Sequence, residues 1–230
     1  MLFQATGMMP DGLRRILERN RRSLRDGMRA ARAAAEKAPL DHRQAPAALE
    51  GTAARLAAST ARITDLLDKH APMRHVAREL GAAAHWVADL SNPFRGVPAG
   101  AEEDAYGRRF ATYVEAKLPR LRVVFEGYTD PLLEAGEIEA FGRHLADQSR
   151  SYLDDLLGAF RRFDEDGEVA AFDERSVPFG VAALSYSRTV TDTARIWLAA
   201  WRAAHGDLAG LPYPLHDGSL VGADSAHDGS

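Results

Sequence analysis

The sequence of 230 residues contains no cysteine, which excludes disulfide bonds, thiolate metal sites and a cysteine nucleophile. No apolar run approaches the roughly 18 continuous residues of a membrane span, so we expect no integral membrane segment. Glycine-rich phosphate loops are missing, as are the Gly-x-Ser-x-Gly and His-Glu-x-x-His motifs. These absences leave histidine and carboxylate side chains as the main candidates for chemistry.

Charged residues of the two signs nearly balance, with 29 lysines and arginines against 33 aspartates and glutamates. The resulting net charge of -4 argues against nucleic-acid binding by the surface as a whole. The first residues have neither the basic region nor the apolar region of a signal peptide. The sequence as written therefore predicts a cytoplasmic protein, whereas a true N-terminus further upstream would allow secretion.

Apolar residues recur at helical spacing along most of the chain, and no segment alternates with the period of a strand. We predict an all-α fold, a single bundle of about six helices within residues 1–205, followed by a disordered acidic tail over residues 206–230. A linker from Pro39 to Pro46 contains His42. The predicted helices cover residues 11–35, 47–70, 72–90, 102–128 (with a kink near Pro119), 137–163 and 178–205.

The first of these helices is strongly basic. One face is apolar, and the other carries Arg14, Arg15, Arg19, Arg21, Arg22, Arg25, Arg29 and Arg32. A basic amphipathic helix is typical of contact with an anionic membrane surface or a phosphate backbone. A solvated arginine-rich face shows the same pattern, so the sequence leaves both interpretations open.

A histidine and an aspartate lie one turn apart on the third predicted helix. His85 and Asp89 share one face because residues four apart are neighbours on a helix. They fall roughly opposite Val76, so the pair faces either solvent or a second buried surface. The pair can form a buried histidine–carboxylate couple or hold a metal ion, which His70, His75 or His144 would help to bind.

The segment Leu80–Arg95, LGAAAHWVADLSNPFR, resembles the signature of zinc-dependent phospholipase C and the S1/P1-type nucleases. That family has a His-x3-Asp pattern, then a proline, then a second histidine six residues after the aspartate. The match covers the leading Leu-Gly, His85 and the aromatic residue after it, Asp89 and Pro93. Weaker similarity extends from about residue 72 to residue 205. The resemblance implies a phospholipase C/P1 nuclease-like helical fold and a phosphodiester hydrolase.

Most metal ligands of that family are replaced in this chain. Arg95 stands in place of the second histidine, and the His-x3-Glu pair of the family's next helix falls on Gly107 and Ala111. Of the three-zinc ligand set, only His85 and Asp89 carry over. The resemblance therefore implies an incomplete metal site, with His75 as an additional candidate ligand, and we assign no catalytic residue.

This ligand loss leads us to expect a non-catalytic or much reduced relative of the hydrolases, with no cofactor. Zinc binding with phosphodiesterase activity on phospholipid or nucleic acid is the first alternative. Peripheral binding to an anionic surface through the first helix is the second. A phosphate-bearing ligand would suit Arg95, whose guanidinium we predict to contact the phosphate.

Overall fold

Helix α5, Met73–Leu90, lies at the centre of the computed structural model, and α3, α4, α8 and α10 pack around it. The structure describes residues 1–37, 47–95, 101–165 and 172–215. Within these ranges the chain is helical and has no strand, so the predicted all-α class is confirmed. No helix in the same ranges is long and apolar enough to cross a membrane.

The helices are shorter than those predicted, because several predicted helices are interrupted. In chain order they are α1 Leu2–Gly7, α2 Asp11–Arg19, α3 Arg21–Lys37, α4 Ala47–Asp68, α5 Met73–Leu90, α6 Ala101–Lys117, α7 Pro131–Glu134, α8 Ile138–Arg150, α9 Leu153–Glu165 and α10 Val177–Ala203. The single bundle of about six helices that we expected is therefore not confirmed by the described helices.

Polar side chains mark two of the interruptions. Between α2 and α3, the Asn20 side-chain amide donates to the Ile16 carbonyl oxygen at 2.8 Å. Between α8 and α9, the Ser151 hydroxyl donates to the Gln148 carbonyl oxygen at 2.7 Å. Such local bonds to the backbone compete with the hydrogen bonds of a continuing helix. Apolar spacing alone does not reveal these breaks.

The fourth predicted helix ends well before residue 128. Helix α6 stops at Lys117, and Pro119 lies in a 3₁₀ turn, Leu118–Arg120, rather than at a kink. Residues 121–130 are not helical. Proline lacks the amide donor that the helix requires, and the β-branched and aromatic residues that follow favour an extended chain. The predicted continuation of this helix is therefore wrong.

Side chains of α10 form hydrogen bonds with the backbone of the non-helical segment 121–130. The Ser187 hydroxyl accepts from the Val124 amide and donates to the Val124 carbonyl, each at 2.8 Å. About two turns further along α10, the Arg195 guanidinium donates to the carbonyl oxygen of Gly127 at 2.9 Å. Side chains of α10 thus replace the backbone partners that a helix or a sheet would supply.

Buried apolar side chains form two clusters. The larger one surrounds α5 and includes Trp197, Phe141 and Ile63, all fully buried. The smaller one joins α6, α9 and the start of α10 around Phe160 and Leu156. Helix α5, which carries His85 and Asp89, therefore crosses the main core. This packing fixes the position of α5 relative to α3 and α10.

Residues 206–215 pack on the helices, although the sequence places them in a disordered tail. The Trp201 indole N–H donates to the Asp207 carbonyl at 2.9 Å, and the Asp11 amide donates to the Ala209 carbonyl at the same distance. Leu208 and Leu211 pack against the larger core cluster, which explains why this part is ordered. The remaining predicted tail, 216–230, and the linker 39–46 lie outside the described residues.

Candidate functional site

The motif residues occupy the last two turns of α5 and the turn that follows. The helix ends at Leu90, and the Asn92 side-chain oxygen accepts from the Phe94 amide at 3.1 Å. This short Asx-type turn, together with Pro93, reverses the chain. The reversal brings Arg95 back to Asp89, and we refer to His85, Asp89 and Arg95 as the motif site.

The imidazole of His85 is buried, with 7% of the residue exposed. Its Nε2 atom has no hydrogen-bond partner among the described residues, and its ring centroid lies 4.9 Å from that of Trp86. The histidine thus lies on a second buried face of α5, opposite Val76, as one of our two alternatives stated.

Burial lowers the pKa of His85. The Asp89 carboxylate raises this pKa, whereas the charges of Arg95 and Arg32 lower it further. Glu36, which accepts from the Arg32 guanidinium at 2.9 Å, has a smaller raising effect. The net effect is a lowered pKa, which favours the neutral imidazole at neutral pH. The charges that act on it form two pairs, Arg32–Glu36 on α3 and Asp89–Arg95 at the end of α5 and the turn after it.

The carboxylate of Asp89 is bound by Arg95. Both Nε and Nη2 of Arg95 lie 2.7 Å from Asp89 Oδ1. The Asp89 side chain is 12% exposed and that of Arg95 is 45% exposed, so the pair lies at the edge of the core. A charge-assisted contact of this length holds the carboxylate in place.

The histidine and the aspartate do not form the hydrogen-bonded couple that we considered. No hydrogen bond joins His85 to Asp89 within the described part of the chain, and their interaction is through charge alone. The arginine thus takes the position that the histidine would have held as partner of the carboxylate.

The additional candidate ligands lie on the surface. His70, His75 and His144 are exposed, and His75 lies ten residues before His85, about 15 Å along the helix axis. In the described ranges no three histidine, aspartate or glutamate side chains come together as a metal-binding group. Two donors fall short of the three protein ligands usual for catalytic zinc, so the residues present do not fit that ion.

The two positions that align with the family's His-x3-Glu pair, Gly107 and Ala111, lie on α6. Gly107, on α6, lies against the Phe94 ring, and a Cβ atom there would come within 3.3 Å of that side chain. Ala111 is exposed. At Gly107, α6 thus packs against the Phe94 ring of the turn after α5, and it supplies no metal-donor atom at either position.

A second buried charged pair was missed by the sequence reasoning. Asp192, on α10, is 3% exposed and pairs with Arg195 at 3.0 Å. Burial raises the pKa of Asp192 to about 6, although Arg195 lowers it. An aspartate three residues before an arginine within an apolar helix was the available signal. The cavity beside Asp192, about 10 Å³ and lined also by Ser149, has room for a water molecule at most.

Comparisons with protein-family models, with curated proteins and with solved structures find no match to this chain.

Proposed function

We propose that this chain is a helical homologue of zinc-dependent phospholipase C and the S1/P1-type nucleases that has lost the catalytic metal site. The observation that carries the proposal is the 2.7 Å contact between Arg95 and Asp89. The guanidinium supplies a fixed positive charge next to a carboxylate that resembles a family ligand. It cannot lower the pKa of a bound water molecule as a metal ion does. The proposed role is therefore binding or scaffolding rather than hydrolysis.

Arg95 also supports the phosphate-bearing class of ligand. Its side chain remains 45% exposed while it pairs with Asp89, so guanidinium N–H groups stay accessible to solvent. Guanidinium groups bind phosphate through paired hydrogen bonds. We therefore propose that the chain binds a phosphate-bearing ligand, as the family does, but does not hydrolyse it.

Replacing Arg95 with histidine tests this proposal, because the change restores the second histidine of the family pattern. Removing a cation and adding a donor should raise zinc affinity by at least about tenfold, or roughly 1.4 kcal/mol. We expect wild-type protein purified without chelator to hold far less than one zinc per chain by elemental analysis. Titration with zinc then gives the affinity of each variant.

Arg122→His is the matched control, since Arg122 is exposed, lies outside the motif site and has no histidine within twenty residues of it in the sequence. It adds the same side chain without a carboxylate partner, and zinc affinity should not change. Stoichiometric zinc in the wild type, together with hydrolysis of a phosphodiester such as bis(p-nitrophenyl) phosphate, would overturn the proposal.

The arginine-rich face of α2 and α3 supports a second candidate function, binding to an anionic membrane surface. Arg19, Arg21, Arg22 and Arg25 are exposed. None of the four has an acidic partner within the residues described. Four unpaired cations on adjacent turns form a patch that attracts anionic lipid head groups.

Removing three of these charges should weaken vesicle binding. Each basic residue near an anionic membrane contributes roughly 1 kcal/mol, so Arg21→Gln/Arg22→Gln/Arg25→Gln should bind phosphatidylserine vesicles roughly a hundredfold more weakly. Co-sedimentation at several salt concentrations measures this. A control triple variant at exposed positions elsewhere is Arg74→Gln/Arg108→Gln/Arg122→Gln. Salt-insensitive binding, or equal loss in both triple variants, rules this function out.

A further inference from the structure

A groove runs along the side of α5 between α3 and α4. Helices α3 and α4 both pack on α5, and the space between them is floored by Ala82 and Trp86 of α5. Its volume is about 720 Å³, within the range of small-molecule sites in proteins. This groove is separate from the motif site, none of whose three residues lines it.

The walls of the groove are made largely of very small side chains. Helix α3 contributes Gly27, Ala30 and Ala31, and α4 contributes Ala58 and Ala61. The alanine methyl groups give the groove an apolar lining, whereas Gly27 lies where the backbones of α3 and α5 are in close contact. The apolar part of a ligand would pack on these methyl groups.

Contacts between α4 and α5 define the two ends of the groove. Arg62 lies 3.3 Å from Glu79 at one end, and the Arg55 guanidinium lies 5.3 Å from the centre of the Trp86 ring at the other. The two helices are thus antiparallel, and the ends are seven residues apart on each. At 1.5 Å per residue, this separation is about 10 Å.

Each end carries an arginine with no acidic partner. Arg78, beside Glu79, and Arg55 both line the groove, and neither forms an ion pair within the described chain. The two acidic residues of the lining are already engaged, Glu79 by Arg62 and Asp65 by Lys69 at 2.6 Å. The lining carries three arginines and two acids, so it favours an anion although the whole chain is negative.

We propose that this groove binds an elongated organic dicarboxylate whose carboxylates pair with Arg55 and Arg78. The apolar middle of the ligand lies along the alanine floor. Two singly charged carboxylates match the two unpaired guanidinium groups, whereas two doubly charged phosphates would leave excess negative charge beside Glu79 and Asp65. The 10 Å span selects for a chain of intermediate length over a short diacid.

Calorimetric titration with decanedioate tests the proposal on the full chain. We expect decanedioate to bind more tightly than decanoate, which has one carboxylate, and more tightly than 1,10-decanediol, which has none. Succinate, whose carboxylates are too close to reach both ends, should bind weakly. Equal affinities for decanedioate and decanoate would overturn the two-ended arrangement.

Single substitutions then test whether Arg55 and Arg78 each bind one carboxylate of the ligand. Arg78→Gln and Arg55→Gln should each weaken decanedioate binding by roughly tenfold and leave decanoate binding less affected. Arg108→Gln removes an exposed arginine of α6, outside both the groove and the arginine patch of α2 and α3, and should have no effect. Circular dichroism confirms that each variant is folded. Unchanged decanedioate affinity in Arg78→Gln, or an equal loss in Arg108→Gln, would show that the groove is not the site.

Discussion

Gly81→Ala is expected to lower the free energy of unfolding by about 3 kcal/mol, although alanine is the better helix former. Gly81 of α5 faces the backbone of α3, and a Cβ atom there would overlap the Leu24 carbonyl group, 2.8 Å from its carbon. Gly27 of α3 has the reciprocal role, with a Cβ position 2.7 Å from the Arg78 carbonyl carbon. A backbone carbonyl cannot rotate away, so the two helices must separate.

Urea unfolding followed by far-UV circular dichroism measures this effect. Gly158→Ala is the matched control, because a Cβ at Gly158 on α9 meets nothing within 4 Å. There the alanine should stabilise the chain by up to about 1 kcal/mol through helix propensity alone. Equal stability of Gly81→Ala and Gly158→Ala would contradict the close approach of the α3 and α5 backbones at Gly81.

The same geometry predicts how the two glycines combine. Gly27→Ala and Gly81→Ala push the same pair of helices apart, so the double variant should cost less than the sum of the single variants. Additive losses would mean that each methyl group is accommodated by an independent local shift.

The helical class was predictable because helix periodicity is a local property of the sequence. Helix α5 is the clearest case, since Val76, Leu80, Val87 and Leu90 are buried as their spacing indicates. The interruptions at Asn20 and Ser151 were not predictable from spacing, because they depend on which carbonyl a polar side chain binds.

The motif site was predictable only in part. Spacing places His85 and Asp89 on one face of α5. The burial of His85, however, depends on α3, which packs closely on α5 at Gly27 and Gly81. The pairing of Arg95 with Asp89 depends on the turn at Asn92, which brings the guanidinium next to the carboxylate. The candidate metal ligands and the expected loss of catalysis at this site stay predictions.

The groove could not be found from the sequence, because it is lined by residues of three helices and has no distinctive motif. The Asp192–Arg195 pair has a local signal in its spacing of three residues, but its burial depends on the packing of α10. Arg55 and Arg78 look like ordinary surface arginines until α4 and α5 are packed against each other. The pKa of Asp192 is raised because the packing of α10 removes the Asp192 carboxyl group from water.

Trp197→Ala should lower the free energy of unfolding by about 4 kcal/mol, which is the other large effect that we expect. Trp197 of α10 is fully buried, and its indole N–H donates to the Leu80 carbonyl at 2.9 Å. It therefore packs on the turn of α5 that also contains Gly81. Truncation leaves a large cavity in the main core and removes the only hydrogen bond that this indole can donate.

Because Trp197→Ala could leave too little stability for folding, Trp197→Phe provides a milder test. Phenylalanine keeps most of the apolar contact but cannot donate to Leu80, so we expect a loss of about 2 kcal/mol. Trp201→Phe is the control one turn later, where a half-buried indole donates to Asp207 at the chain surface. Its loss should stay below about 1 kcal/mol. A larger loss in Trp201→Phe than in Trp197→Phe would contradict the central position of α5, because it would place the greater share of the packing energy outside the main core.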